Sequence, residues 1–229
     1  MASKKDFLTF PVSDFCTTIM SIGPPGSGKT YLLLESLKHW LKNNVFDEYH
    51  IVAPAFENEM EDSYAFLRPY LKKEVSVYGM YTNSLADRLV LEAKRNNEKF
   101  RAGKIKRKPR VFFAVDDATG QRELFDSPSL ERIIVENRHL NIHSWLLLHQ
   151  DKKVVTPKIR ENMRFIIIYP LHVEKLKYMF SNYINFPTDF ENYKEFWAFW
   201  KEYVLPNEHA SLLVCDRIGY TPDCRLWFK

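Results

Sequence analysis

The octet Gly23-Pro24-Pro25-Gly26-Ser27-Gly28-Lys29-Thr30 fits the pattern G-x-x-x-x-G-K-S/T. It lies between a run with the character of a buried strand and one with the period of a helix. That pattern suits a loop wrapped around a polyphosphate. Backbone N–H groups reach phosphate oxygens only where side chains are absent, and the positive end of the following helix adds to the attraction. Pro24 and Pro25 have no N–H to give, so the donors are expected from Gly26 through Thr30, with Tyr31 beside them. Lys29 is placed to bridge the β- and γ-phosphates and the Thr30 hydroxyl to hold Mg²⁺.

Such a loop needs a carboxylate on the metal, at the carboxyl end of a buried strand. Val111-Phe112-Phe113-Ala114-Val115-Asp116-Asp117 supplies one. Asp116 is expected to orient the hydration shell of Mg²⁺, and Asp117 to polarise an attacking water. Two adjacent acids after a strand also suit the start of a helix, the blander reading. A further apolar run, 142–149, ends in Gln150, whose neutral amide could hydrogen-bond both a terminal phosphate and the water.

The elements that must hold these groups read as a parallel sheet. Runs 16–23, 49–54, 110–116, 142–149 and 165–169 are apolar and rich in β-formers, with room for helices between them. The first helix is expected over 31–43. The class is therefore α/β, doubly wound, in one domain spanning 1–229. After Pro170 the pattern changes to a helical stretch at 173–182, an aromatic-rich helix at 190–204 and two runs, 210–216 and 224–229, that read as a hairpin. The stripe Phe190, Tyr193, Phe196, Trp197, Trp200 and Tyr203 has helical spacing and is expected to pack against the sheet.

Composition narrows the class without choosing a function. With 45% hydrophobic residues in 229, the chain can bury a real core. No stretch approaches the roughly 20 apolar residues of a membrane span, and the first residues lack the apolar run of a signal peptide. The three cysteines, Cys16, Cys215 and Cys224, have neither zinc-site nor disulfide-scaffold spacing and read as thiols in a reducing compartment. The net charge of +4 says little, but its distribution is uneven. Lys94, Arg95, Lys99, Arg101, Lys104, Lys106, Arg107, Lys108 and Arg110 are interrupted by the single acid Glu98. Such a cluster suits phosphate-backbone contact, with Lys104, Lys106, Arg107 and Lys108 at its centre, or else a solvated loop or a localisation-like patch.

Taken together, the octet, the strand into Asp116-Asp117, the run into Gln150 and Pro157-Lys158-Ile159-Arg160-Glu161-Asn162-Met163-Arg164 resemble the FtsK/HerA superfamily. More narrowly they are similar to the genome-packaging ATPases of nucleocytoplasmic large DNA viruses, virophages and related double jelly-roll viruses. The resemblance spans about residues 12–170, leaving 171–229 as an extension. It implies a P-loop NTPase fold of the RecA/ASCE type, ATP with Mg²⁺, and Gln150 as a sensor. It also implies an arginine acting in trans, with Arg160 the foremost candidate and Arg164 and Arg138 the alternatives. Double-stranded DNA would be the cargo of a homo-oligomeric ring, a pentamer or hexamer, docked on a capsid vertex protein at an assembly site in the host cytoplasm or carried in the virion. Asp117 departs from the glutamate common in the wider superfamily. Other readings are a related DNA pump or helicase-like ATPase, a P-loop nucleotide kinase, or a nucleotide-binding protein without turnover.

Overall fold

The computed structural model describes residues 16–56, 63–71, 73–117, 120–124, 127–149, 155–184, 190–206, 210–215 and 226–227. Strands β1 (Thr18–Ile22), β2 (Glu48–Val52), β3 (Val75–Tyr78), β4 (Val111–Asp116), β5 (Ile142–Leu148), β6 (Phe165–Ile168), β7 (Leu212–Cys215) and β8 (Leu226–Trp227) form one sheet. Its order is β3-β2-β4-β5-β1-β6-β7-β8. The first six are parallel; β7 and β8 add an antiparallel edge, the hairpin expected from the sequence.

The apolar runs become central strands because both faces are covered. Alternate side chains enter two separate cores. On one face Ile19, Ile51, Phe112, Trp145, Leu147 and Ile167 pack under α1 (Lys29–Lys42), through Leu33, Leu37 and Trp40. On the other, Met20, Val52, Phe113, Leu146 and Ile166 meet residues of α2 (Asn83–Arg101), α3 (Pro128–Val135), α4 (Asn137–Leu140) and α5 (Pro157–Glu161). Helices α6 (Val173–Met179) and α7 (Tyr193–Tyr203) complete that layer. The aromatic stripe packs as expected: Phe196 and Trp200 are fully buried, while Tyr203 at the end of α7 is 44% exposed.

Several details differ from the sequence reading. The short edge strand β3 was not among the five apolar runs, because four residues of alternating pattern on a half-covered edge carry little periodic signal. Helix α1 opens at Lys29, two residues early, because Gly28 (φ 95°) turns the chain directly from loop into helix. Helix α7 starts at Tyr193, where the Asn192 side chain accepts from the N–H groups of Lys194 and Glu195. The helical stretch after Pro170 ends in a π-turn, Phe180–Ile184. Basic residues 94–101 sit on the last turns of α2, and Gly103 (φ 68°) then turns the chain toward β4. Among the described residues, no helix is long and apolar enough to cross a membrane.

Candidate nucleotide site at the carboxyl edge of the sheet

Strand β1 lies between β5 and β6, with β4 on the far side of β5. Residues leaving the carboxyl ends of β1, β4, β5 and β6 therefore meet at one edge. The Gly23 N–H donates to the Leu148 carbonyl (3.2 Å) and the Tyr169 N–H to the Ile22 carbonyl (2.9 Å), tying these ends together. A Cβ on Gly23 would sit 2.6 Å from the Tyr169 Cβ and 2.8 Å from the Ser27 Oγ, so only glycine fits there. Gly26 (φ 73°) supplies the second left-handed turn of the loop.

Lys29 is 5% exposed. Its Nζ donates to the carbonyls of Gly23 and Pro24, both at 2.8 Å, and to the Ser27 Oγ at 3.4 Å. Burial pushes the ammonium pKa down, while Asp116 and Asp117 pull it up. The next residue, Thr30, donates its hydroxyl to Asp116 Oδ1 at 3.1 Å. The Tyr64 hydroxyl donates to Asp116 Oδ2, also at 3.1 Å. Asp116 is 4% exposed, and burial raises its pKa to about 6, against the opposing pull of those two hydroxyls. Tyr31, in the first turn of α1, is 59% exposed.

Asp117 follows with φ 50°, a left-handed conformation that stores strain in a non-glycine residue. Its carboxylate pairs with His149 Nε2. The other ring nitrogen, His149 Nδ1, lies 3.3 Å from Lys29 Nζ and 3.3 Å from the Gly23 carbonyl. Gln150, the expected sensor, lies outside the described residues. Tyr64 and His149 are the site residues that the sequence reading passed over. Tyr64 comes from the β2–β3 connection and carries no motif. His149 stands one place before Gln150, at the tip of a strand beside β1, and that position is its signal in the sequence.

The donor set fits a polyphosphate with a hard divalent cation: a glycine loop opening a helix, one buried ammonium, one hydroxyl and one buried carboxylate. Among the described residues no group of three or more His, Cys, Asp or Glu could hold a metal alone. A divalent ion here would take Thr30 and Asp116 together with phosphate and water oxygens.

The arginines named from the sequence stand elsewhere. Arg138 lies on α4, Arg160 on α5, and Arg164 just before β6, all on segments leading into the amino ends of β5 and β6. That edge is roughly 15 Å along the strands from the chain's own loop. Arg160 donates to the Asn182 Oδ1 (3.1 Å) and lies 5.8 Å from the Tyr183 ring centroid. Arg164 is 9% exposed, with its backbone N–H on the Thr18 Oγ1 at 2.9 Å. Arg138 is exposed.

The same amino edge carries a cavity of about 470 Å³ lined by Arg107, Lys108, Arg110, Arg138 and Asn141. Asn141 (φ 57°) fixes its floor, donating to the carbonyls of Lys108 (3.3 Å) and Pro109 (2.7 Å) and accepting from the Cys16 thiol (3.3 Å). Burial raises that thiol's pKa to about 11, so Cys16 is inert. Arg107 forms two 2.6 Å bonds to Asp47, which hold the Asp47 carboxyl below its usual range. Nearby His143 is pushed down to about 4 by burial and by Arg110 and Arg164, and its neutral Nδ1 accepts the Thr17 N–H. Lys104 and Lys106 are exposed just before this cavity.

No protein-family model matches the sequence, and no curated protein matches it. Solved structures do. The genome packaging NTPase B204 of Sulfolobus turreted icosahedral virus 2, in complex with AMP, aligns with TM-score 0.60 at 16% identity over 89% of this chain and 94% of that one. The same protein in complex with ATP-gammaS aligns with TM-score 0.57 at 14% identity, covering 93% of this chain and 96% of that one. The EssC fragment with ATPases 2 and 3 from Geobacillus thermodenitrificans aligns with TM-score 0.60 at 15% identity, over 88% of this chain but 38% of that one. At these identities the likeness establishes the fold, that of P-loop NTPases. It coincides with the resemblance read from the motifs.

Proposed function

We propose that this protein is a Mg²⁺-dependent ATPase that drives double-stranded DNA into a viral capsid. The reading rests on one observation above others: Lys29, Thr30, Asp116 and Asp117 meet at the carboxyl edge of a sheet whose strand β5 lies between the loop strand and the carboxylate strand. That arrangement suits ATP hydrolysis better than transfer to a small acceptor, for which no further motif is present. The chain-wide likeness to a viral genome packaging NTPase supports the choice of cargo.

In this reading the amides from Gly26 to Thr30 hold the phosphates, and Lys29 moves from the Gly23 and Pro24 carbonyls to the β/γ-bridge. Thr30 and Asp116 hold Mg²⁺, which when bound neutralises charge on the phosphate oxygens. Asp117 accepts a hydrogen bond from the attacking water, assisted by Gln150. Subunits form a ring, and an arginine from a neighbour, Arg160 first among three, completes each site. All three stand far from their own loop, as a trans role requires. Lys104, Lys106, Arg107, Lys108 and the cavity beside them contact the DNA backbone. The ring docks on a capsid vertex protein at the viral assembly site.

ATP turnover measured with and without linear duplex DNA tests this. Turnover that rises several-fold with duplex is expected; a chain that never hydrolyses ATP is not a motor. The comparable likeness to the cytoplasmic domain of the Thermomonospora curvata Type VII secretion ATPase EccC makes a motor for secretion the competing reading, and hydrolysis indifferent to duplex would favour it.

A further inference from the structure

His149 stands between the two charges that matter most at this edge. Lys29 Nζ and the Gly23 carbonyl lie against Nδ1, each at 3.3 Å, and the Asp117 carboxylate against Nε2. An ammonium has no lone pair, so Lys29 can only donate to Nδ1. A neutral imidazole that accepts at Nδ1 carries its hydrogen at Nε2, where Asp117 receives it. The Gly23 carbonyl, an acceptor, favours the opposite tautomer. The Asp117 carboxylate is the stronger acceptor, so it and Lys29 together place the hydrogen at Nε2.

Asp117 needs such a hold. Its backbone is left-handed and its side chain is 54% exposed, and among the described residues the His149 ring is the partner that holds the carboxylate. Lys29, in contrast, has the Gly23 and Pro24 carbonyls and Ser27 besides the ring, and does not depend on it.

We infer that His149 is a positioning residue for Asp117, aiming its carboxylate through Nε2–H. The inference rests on the ATPase reading for its consequence in turnover. It does not rest on that reading for the tautomer.

Two measurements test it. In steady-state hydrolysis, His149→Ala is expected to lower kcat at least about tenfold while the ATP affinity stays within about twofold. His149→Gln, whose amide N–H reaches the Nε2 position, is expected to recover to within about threefold of the parent, and the shorter His149→Asn is not. A His149→Ala protein with unchanged kcat, an affinity that falls along with kcat, or equal rates for the Gln and Asn variants would overturn the inference. Independently, ¹⁵N spectra of the imidazoles, with His149 assigned by its loss in His149→Gln, should show the Nε2–H form in the parent protein. A ring that carries its hydrogen at Nδ1 alone in the parent protein sinks the inference even where the variants at 149 fail to fold. Absence of turnover in the parent protein would instead refute the ATPase reading, with the spectra still judging the tautomer.

Discussion

The two edges of the sheet are built from the same strands and do opposite electrostatic work. At the carboxyl edge, buried Lys29 and Asp116 crowd together with the more exposed Asp117, and each shifts or holds another. At the amino edge, Arg107, Lys108, Arg110 and Arg138 surround an open cavity, with Asp47 as the described counter-charge on Arg107. Buried, mutually compensating charges lose function steeply when one is removed, whereas exposed cations act additively and through a salt-dependent field. Substitutions at the first edge should therefore act like switches and those at the second like a dial.

The sharpest test joins the two edges. Lys29→Ala should have no turnover, and Arg160→Ala should bind nucleotide yet lose about 10³–10⁵ in rate, the usual contribution of a trans arginine. Mixed, the two chains should regain activity at interfaces that pair an intact loop with an intact arginine. No recovery in co-assembled subunits would turn the search to Arg164 and Arg138. Next in size, Asp117→Asn should keep ATP binding and lose about 10²–10⁴ in kcat, read by single-turnover hydrolysis; a near-parental rate would remove Asp117 from water activation.

A third outcome concerns stability. The folded-state pKa of Asp116, about 6, lies above the ordinary carboxylate value, so the folded chain holds that proton more tightly than the unfolded one. Ionised Asp116 therefore destabilises the fold above about pH 6, by on the order of 3 kcal/mol. The penalty fades as pH falls from about 6 toward the unfolded value near 4. Denaturant titrations without nucleotide should find Asp116→Asn more stable than the parent at pH 7.5 and indistinguishable from it near pH 4. An Asn variant less stable at both would show that the Thr30 and Tyr64 hydroxyls outweigh the burial cost.

The smallest effects belong to the amino edge. Changing Lys104, Lys106, Lys108 and Arg138 together to glutamine should weaken duplex binding for every sequence alike. The magnitude of the log–log salt slope should fall by about 3–4. Arg107→Gln alone should do less than any of these, because Asp47 already occupies that guanidinium. An unchanged slope in the quadruple variant would move the DNA contact to another surface.

The same contrast explains how much could be read without coordinates. The carboxyl edge was legible because its loop is eight consecutive residues and its carboxylates end a continuous apolar run, both local patterns set by backbone access and burial. Five of the six parallel strands were legible for the same reason. Tyr64 was not, since its contact with Asp116 bridges residues 52 apart and follows from how the β2–β3 connection folds back. The amino-edge cavity draws on Arg107, Arg138 and Asn141, from segments that meet only when β4 and β5 pair. The sequence showed that segment as a charge run and could not show that Arg107 is held by Asp47 or that Arg138 joins it.

Helix α1 has the phosphate loop at its first turn and Trp40 in its last, roughly 16 Å away along the axis. The Trp40 ring lies 6.0 Å from Trp145, whose indole N–H is pinned to the Ser21 Oγ at 2.9 Å. One indole rides on the helix that carries Lys29 and Thr30, and the other is fixed in the sheet. The chain thus contains an optical gauge of its own: any tilt or slide of α1 as the loop fills changes the spacing and angle of two adjacent chromophores. The exciton dichroism of the pair would report such a movement with no label attached.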